Sequence, residues 1–210
     1  PGLTLRLVAF DVDGTLVDSQ GQILTAMNAA FAAVGVPAPS RADVRGIIGL
    51  SLPDAMAVLA PRATALERSA LVDAYKDAYV AQRAAGGAEA GSPLYPGALA
   101  ALTALSAQDD LLLGVATGKS RRGLEHLLET HDLRRFFVTT QVADDHPSKP
   151  HPSMLWQALS DTGVEAADTV MLGDTGFDMD MAGAAGVVTL GVDWGYHPAA
   201  QLRARGAVAV

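Results

Sequence analysis

The stretch "VAFDVDGTLVDS", Val8–Ser19, begins as a hydrophobic run and then places two aspartates, Asp11 and Asp13, two residues apart. One explanation is a chain reversal, because Asp and Gly are common turn residues. The other is a cation site, since neighbouring carboxylates repel each other unless a positive charge lies between them. The stretch by itself is compatible with both, so the decision rests on the rest of the chain.

The hydrophobic run before Asp11 is one of five with the length and β-branched content of buried parallel strands. The five predicted strands are Leu5–Phe10, Leu111–Ala116, Phe136–Thr140, Thr169–Leu172 and Val187–Val192. Amphipathic helical segments separate the last four, and parallel neighbours need such crossover helices. The alternation predicts an α/β fold with a Rossmann-like, doubly wound parallel sheet.

The interval between the first two strands is too long for one crossover and has a helical pattern throughout. Apolar residues recur at spacings of three and four from Ile23 to Val34, and Gly35 is expected to end that helix. Leu66–Ala85 has the pattern of a second long helix, and residues 84–97, rich in Gly and Pro, are expected to lead back. We therefore predict a core domain of residues 1–17 and 91–210 with a helical insertion of residues 18–90.

Composition and charge narrow the class of protein. The 210 residues include 15 basic and 23 acidic ones, a net charge of −8, and no basic run, which makes a nucleic-acid or anionic-membrane partner unexpected. There is no cysteine, so disulfides and thiolate chemistry are excluded. No apolar stretch approaches the length of a membrane span, and the first residues lack a signal-peptide pattern, so we expect a cytoplasmic enzyme.

Polar residues gather where the predicted strands end. Asp11 and Asp13 follow the first strand, Thr117–Ser120 the second, Asp144–Pro152 the third and Gly173–Asp180 the fourth. In an open parallel sheet, ligands bind beyond the carboxyl ends of the strands, so these four clusters should face one crevice.

The chemistry of that crevice suits Mg²⁺ and a phosphoryl group. Mg²⁺ prefers oxygen ligands and takes few carboxylates, so Asp11 and Asp174 are predicted ligands, with the backbone carbonyl near Asp13 as a third. Thr117 and Lys149 would hold the phosphoryl oxygens. Asp11 ends a rigid strand and is assigned as nucleophile, whereas Asp13 lies on the turn and is assigned as general acid and base.

The segments "DVDGTLVDS", "VATGKS", "SKPHP" and "GDTGFDMDMA", in this order, resemble the four motifs of the haloacid dehalogenase superfamily. The chain is most similar to phosphoglycolate phosphatase-like members that carry a helical cap after the first motif. The resemblance implies a Mg²⁺-dependent phosphatase with the roles assigned above, a HAD-like core and a cap of residues 18–90. It also implies that Asp178 supports the metal or Lys149 from behind. Gly118 departs from the Asn common in the family, which would leave phosphate binding there to the backbone.

The expected substrate is a small phosphorylated metabolite, with 2-phosphoglycolate first by resemblance. A sugar-phosphate phosphatase or phosphomutase of the same superfamily remains open, as does a non-catalytic phosphate-binding protein. A P-loop is disfavoured because Leu113 stands where its first glycine is needed, and an EF-hand fails because Leu16 and Gln22 occupy its key positions counted from Asp11.

Two cationic side chains have two possible roles each. Arg45, in the predicted cap, would contact substrate or form a surface salt bridge. Lys119 would reach the phosphate or cap the helix that follows it. The sequence does not indicate an oligomeric state.

Overall fold

The computed structural model describes residues 4–86 and 92–210 and contains a five-stranded parallel sheet. The strands are β1 (Arg6–Phe10), β2 (Leu111–Thr117), β3 (Thr139–Val142), β4 (Thr169–Gly173) and β5 (Val188–Gly191). Their order across the sheet is β3-β2-β1-β4-β5. The chain therefore builds one half outward from β1 and then returns to β4 on the other side of β1, so the strand order reverses beside β1. The predicted α/β, doubly wound fold is confirmed.

The third strand begins later than predicted. Residues Arg134–Phe136 form a 3₁₀ turn, and the Phe136 side chain is buried against Leu133 and helix residues, outside the sheet. Pairing with β2 starts at Thr139, opposite Gly114. The apolar character of Phe136 therefore reflects burial in the core and not strand pairing.

Nine helices accompany the strands in the described parts of the chain. They are α1 (Gln20–Val34), α2 (Arg41–Ile47), α3 (Leu52–Leu59), α4 (Ala65–Gly86), α5 (Ala98–Ser106), α6 (Arg121–Thr130), α7 (Ser153–Thr162), α8 (Gly176–Ala185) and α9 (Ala199–Ala204). As predicted, α1 stops at Gly35, which adopts a left-handed conformation with φ of 76°. Within these two ranges, no helix is both long and apolar enough to pass through a bilayer.

Alternate side chains of the central strands fill two separate cores. Phe10 and Val115 point to one face and pack with Leu124 of α6, whereas Ala9 and Ala116 point to the other. The second face receives methionines from α7, α8 and β4: Met154, Met181 and Met171. This two-sided burial holds the carboxyl ends of β1 and β4 in place, because both strands lie at the centre of the sheet.

Helices α1 to α4 share an apolar cluster of their own, in which Met27 and Phe31 of α1 pack with Leu71 of α4. The chain enters and leaves this region through paired segments: Asp18 N donates to Pro93 O at 2.9 Å, and Tyr95 N donates to Leu16 O at 2.9 Å. The domain boundary at residues 17–18 stays a prediction, and the predicted boundary at Gly91 lies outside the described residues.

Candidate active site

The site begins where β1 and β4 end side by side. Asp11 directly follows β1 and Asp174 directly follows β4, and these neighbouring strands flank the point at which the strand order reverses. Both carboxylates are almost completely buried, with exposures of 1 % and 0 %. A ligand bound beyond this edge would meet both side chains.

A buried lysine joins this pair to a third carboxylate. Lys149, from the loop after β3, has its Nζ atom 3.0 Å from Asp11 Oδ1 and 2.7 Å from Asp178 Oδ1. All three side chains are 1 % exposed or less. One cation therefore neutralises two buried anions, and Lys149 and Asp178 belong to the same contact network as Asp11.

Local structure at the start of α8 orients Asp178. Thr175 N and Thr175 Oγ1 donate to Asp178 Oδ2 at 3.0 and 2.7 Å, while the Thr175 hydroxyl also accepts from Asp178 N. This reciprocal arrangement is a capping box, which satisfies otherwise unpaired groups at the helix start. The other oxygen of Asp178 is thereby aimed at Lys149.

Backbone and hydroxyl donors hold Asp174. Thr15 Oγ1 donates to its Oδ1 at 3.0 Å, and Tyr196 N donates to its Oδ2 at 2.8 Å. Gly14 lies against the same carboxylate with φ of 85°, and a Cβ there would stand 2.1 Å from Asp174 Oδ2. Glycine is required at this position both for its conformation and for the close approach.

The three carboxylates fit a divalent cation. Asp11, Asp174 and Asp178 each offer an oxygen, and these atoms lie within 4.8 Å of one another. Burial raises the pKa of Asp11 to about 7, with Lys149 opposing the rise and Asp178 and Asp13 adding to it. Burial, reinforced by Asp11 and Asp178, also raises the pKa of Asp174 well above its ordinary value. Neither Asp11 oxygen accepts a well-aligned hydrogen bond from the described residues. Three carboxylates thus lie together with Lys149 as the cation paired with them in the described residues, so their negative charge exceeds the positive charge beside it.

This cluster differs from the predicted ligand set in one respect. The side chain of Asp178, expected behind the metal site, lies within the group of three, whereas the side chain of Asp13 does not. The backbone carbonyl near Asp13 stays a predicted ligand.

The Asp13 side chain lies outside the group of three carboxylates and is held by two contacts to its Oδ1 atom. Lys119 Nζ lies 2.9 Å from Asp13 Oδ1, and Ser19 Oγ donates to the same atom. Tyr196 OH in turn accepts from Ser19 N at 3.1 Å. On the other side, Lys119 Nζ donates to Tyr79 OH of α4 at 3.4 Å. Asp13 is therefore connected both to the core and to the cap.

These contacts revise the two sequence-based roles for Lys119. The residue does not cap α6, because Ser120 occupies that position and its Oγ accepts from Gly123 N at 3.1 Å. A phosphate contact by Lys119 stays a prediction, since its ammonium group is paired with Asp13 in this structure. Ser19 was available in the first motif as a hydroxyl beside the aspartates, but its pairing with Asp13 had no sequence signal. The contribution of Tyr196, far along the chain, had none either.

The loop after β2 completes the site. Thr117 is the last residue of β2, is 0 % exposed, and its Oγ1 accepts from Lys119 N at 3.2 Å. At Gly118, a Cβ would stand 2.6 Å from each of the carbonyl oxygens of Gly49 and Leu50. The cap segment occupies the space that a side chain at position 118 would need. This close contact explains why glycine is the residue at that position.

Arg45 donates to backbone oxygens in this structure, in place of the surface salt bridge that was one of its two predicted roles. Its Nε donates to Tyr196 O at 2.9 Å and its Nη2 to Gly195 O at 2.8 Å, so it links α2 to the core backbone. Ser51 N adds a second such link by donating to Ser148 Oγ at 2.7 Å. Arg45 holds cap against core, and substrate contact by Arg45 stays an untested prediction.

Most of the predicted residues lie in two layers beside a cavity of about 750 Å³, and Arg45 does not line it. Asp11, Asp13 and the segment 117–119 line the cavity directly, together with side chains of α1 to α4. Lys149 and Asp178 lie buried behind Asp11, which they reach through the contacts given above. The polar clusters at the strand ends therefore converge, as their positions predicted.

Comparison with known proteins agrees with this geometry. A model of the haloacid dehalogenase-like hydrolase family matches residues 8–192. The chain is 37 % identical over 201 residues to a probable phosphatase, IndB, of Dickeya dadantii, covering 94 % of this chain and 85 % of that protein. It is 33 % identical over 194 residues to a phosphoglycolate phosphatase of Yersinia pestis, covering 92 % and 83 %.

A solved structure is similar over almost the whole length. The haloacid dehalogenase-like family hydrolase of Streptococcus pneumoniae matches with a TM-score of 0.83 and 27 % identity, covering 98 % of this chain and 92 % of that one. With the family match over residues 8–192 and a buried acidic site at the expected strand ends, the chain belongs to the haloacid dehalogenase-like hydrolases.

Proposed function

We propose that this hydrolase is a Mg²⁺-dependent phosphomonoesterase that works through an aspartyl-phosphate on Asp11. The observation that carries the proposal is the cluster of Asp11, Asp174 and Asp178, of which Asp11 and Asp178 share Lys149, with Asp13 facing the same cavity as Asp11. Phosphoryl transfer depends mainly on positioning and on charge stabilisation, and this cluster is suited to supply both.

The acidic cluster would hold the metal ion. Asp11, Asp174 and Asp178, or the backbone carbonyl near Asp13 in place of one of them, provide the hard oxygen ligands that Mg²⁺ prefers. Bound there, a divalent cation would neutralise charge on the transferring phosphoryl group and keep Asp11 ionised.

The first step is attack by an Asp11 carboxylate oxygen on phosphorus, which forms a new O–P bond. The bond between phosphorus and the ester oxygen breaks, and the Asp13 carboxyl group protonates the departing alcohol. Lys149 and Thr117 would bind the phosphoryl oxygens, and Lys119 and Ser19 hold Asp13 in position through its Oδ1.

The second step hydrolyses the aspartyl-phosphate. Asp13, now ionised, takes a proton from a water molecule whose oxygen attacks phosphorus, so that inorganic phosphate leaves and Asp11 is regenerated. The cap helices would limit the access of other water during transfer. The relatives named phosphoglycolate phosphatase make 2-phosphoglycolate the first substrate to test.

Phosphate release from a panel of phosphomonoesters, measured with and without Mg²⁺, tests the proposal. We expect Mg²⁺-dependent turnover that Asp11→Asn abolishes, while Asp109→Asn, at an exposed position far from the site, retains it. Asp13→Asn is expected to accumulate phosphoenzyme, detectable by mass, because hydrolysis of the aspartyl-phosphate lacks its base. Full activity in Asp11→Asn would remove the mechanism, and phosphate binding without turnover of any ester would favour a binding protein.

A further inference from the structure

The cavity in front of Asp11 is larger than a two-carbon leaving group needs. Its volume of about 750 Å³ falls within the range of roughly 300–1,000 Å³ typical of sites that enclose drug-sized ligands. Asp11 and Asp13 line it together with the loops after β2 and β3, and residues of α1 to α4 and of the segment between α2 and α3 supply more than half of the lining. Most of this space would therefore receive the alcohol part of the ester and not the phosphoryl group.

The cap side of the cavity is mainly apolar. Ile48 and Leu50 line it from the segment that joins α2 and α3, and Leu52 lines it from the start of α3. Val72 and Val80 line it from α4. A charged or strongly hydrated leaving group would lose water against these side chains without gaining hydrogen bonds. An apolar leaving group would instead gain free energy from burial.

Two aromatic rings add a flat surface to the same wall. Tyr75 and Tyr79, one turn apart on α4, both line the cavity and stack with ring centroids 5.7 Å apart and an interplanar angle of 29°. Burial raises the pKa of Tyr75 well above its ordinary value, with Tyr79 and Asp13 adding to the rise, so its hydroxyl stays neutral. Because Arg83 and Lys119 lie over the Tyr79 ring, Tyr75 is the member of the pair better suited to pack against a ring in a substrate.

Both lysines at the catalytic end already have an assigned partner: Lys149 is assigned to the phosphoryl group, and Lys119 is paired with Asp13. A carboxylate on a two-carbon alcohol lies only two bonds from the ester oxygen, so its recognition needs a cation close to the phosphate. Lys149 is shared between Asp11 and Asp178, and Lys119 is paired with Asp13 at 2.9 Å.

The other basic side chains of the cavity lie towards its outer part. Lys76 and Arg122 are exposed to solvent. Arg83 stacks over the Tyr79 ring, 5.1 Å from its centroid, and its Nη2 donates to Gly123 O at 3.4 Å. These positions suit the far end of a longer molecule better than a group next to the reacting phosphorus.

We propose that the preferred substrate is a phosphomonoester whose leaving alcohol carries a ring with an apolar face, larger than glycolate, seated between the tyrosine pair and the apolar cap wall. The inference rests on the proposed phosphatase function and specifies the substrate class of the same site.

The test compares kcat/KM for 2-phenylethyl phosphate, ethyl phosphate and 2-phosphoglycolate under identical Mg²⁺ conditions. All three release primary alcohols, so differences in leaving-group reactivity are small beside differences in binding. We expect 2-phenylethyl phosphate to exceed each of the others by about tenfold or more, because even one buried methylene distinguishes substrates by roughly 10- to 200-fold.

Variants of α3 and α4 test whether the preference for 2-phenylethyl phosphate depends on the cap. Leu52→Trp and Val80→Trp reduce the space in the cavity and are expected to lower the ratio of kcat/KM for 2-phenylethyl phosphate to that for ethyl phosphate. Val58→Trp is the matched control, because Val58 lies on α3 but is 58 % exposed and does not line the cavity. Val80 is 40 % exposed, so its variant tests the cavity even where Leu52→Trp lowers thermal stability.

The outcomes separate this inference from the proposed function. Hydrolysis of 2-phosphoglycolate with a kcat/KM equal to or above that of 2-phenylethyl phosphate would overturn the inference and leave the phosphatase mechanism standing. An unchanged ratio in both cavity variants would also overturn it. No turnover of any of the three esters would instead reject the proposed function.

Discussion

The glycine at position 118 provides a sharp test of how the cap meets the phosphate-binding loop. A Cβ at this position would lie 2.6 Å from the carbonyl oxygens of both Gly49 and Leu50. Close carbon–oxygen contacts in proteins are about 3.3 Å or longer, so the cap segment would have to retreat by about 0.7 Å. Both obstructing atoms belong to the backbone, so no change of side-chain rotamer can relieve the clash.

The expected size of the effect follows from that clash. Overpacking of this kind costs about 1–3 kcal/mol, which corresponds to about a 5- to 150-fold smaller population of the closed cap. We therefore expect Gly118→Ala to lower kcat/KM by about that factor. The clash exists only while the cap is seated, so the thermal unfolding midpoint should stay within about 2 °C of wild type if the cap opens instead of the core unfolding.

The assay measures steady-state hydrolysis of an aryl phosphate with Mg²⁺, alongside thermal unfolding. Gly46→Ala is the matched control, because Gly46 lies in the cap helix α2 and a Cβ there meets no atom within 4 Å. Wild-type kcat/KM in Gly118→Ala, or an equal loss in Gly46→Ala, would refute the argument that the cap closes onto position 118.

Three further predictions concern charged side chains. Adding Mg²⁺ at about 100 times its Kd should stabilise the wild-type protein by about 2.7 kcal/mol, and Asp174→Asn should lose most of the resulting rise in Tm; an equal rise in both would argue against this metal site. Lys149→Met should lower the free energy of unfolding by about 3–5 kcal/mol, measured by denaturant titration without metal, because two buried carboxylates lose their shared cation; a loss below about 1 kcal/mol would contradict this. The pKa of Asp161 lies below its ordinary value, chiefly because Thr139 donates a hydrogen bond to its carboxylate. The ionised form therefore stabilises the fold at a pH above the ordinary pKa, and this stabilisation is lost as the pH falls through the depressed pKa. The Tm difference between wild type and Asp161→Ala should therefore shrink on acidification, and a difference that is constant from pH 7 to pH 3 would disagree.

Much of the catalytic end of the site could be predicted because it depends on local pattern and on one rule of sheet geometry. Strands end where apolar runs meet polar residues, and the carboxyl ends of parallel strands lie on one edge of the sheet. Asp11, Thr117 and Asp174 follow or end three such strands, so the sequence alone predicts that they converge. The third strand begins later than the sequence predicts, because an apolar residue such as Phe136 indicates burial and does not distinguish a strand from a packed turn.

The tertiary structure decided which side chains from distant segments meet. The pairing of Asp13 with Lys119, the contact of Lys119 with Tyr79 and the link from Arg45 to the core backbone all join parts of the chain that periodicity treats as independent. The same is true of Gly118, because only the carbonyl oxygens of the cap that lie against it explain the need for a residue without a side chain. Sequence patterns report which groups are buried and where elements end, whereas these contacts depend on how the cap helices sit over the sheet, and that is set by packing across the whole molecule.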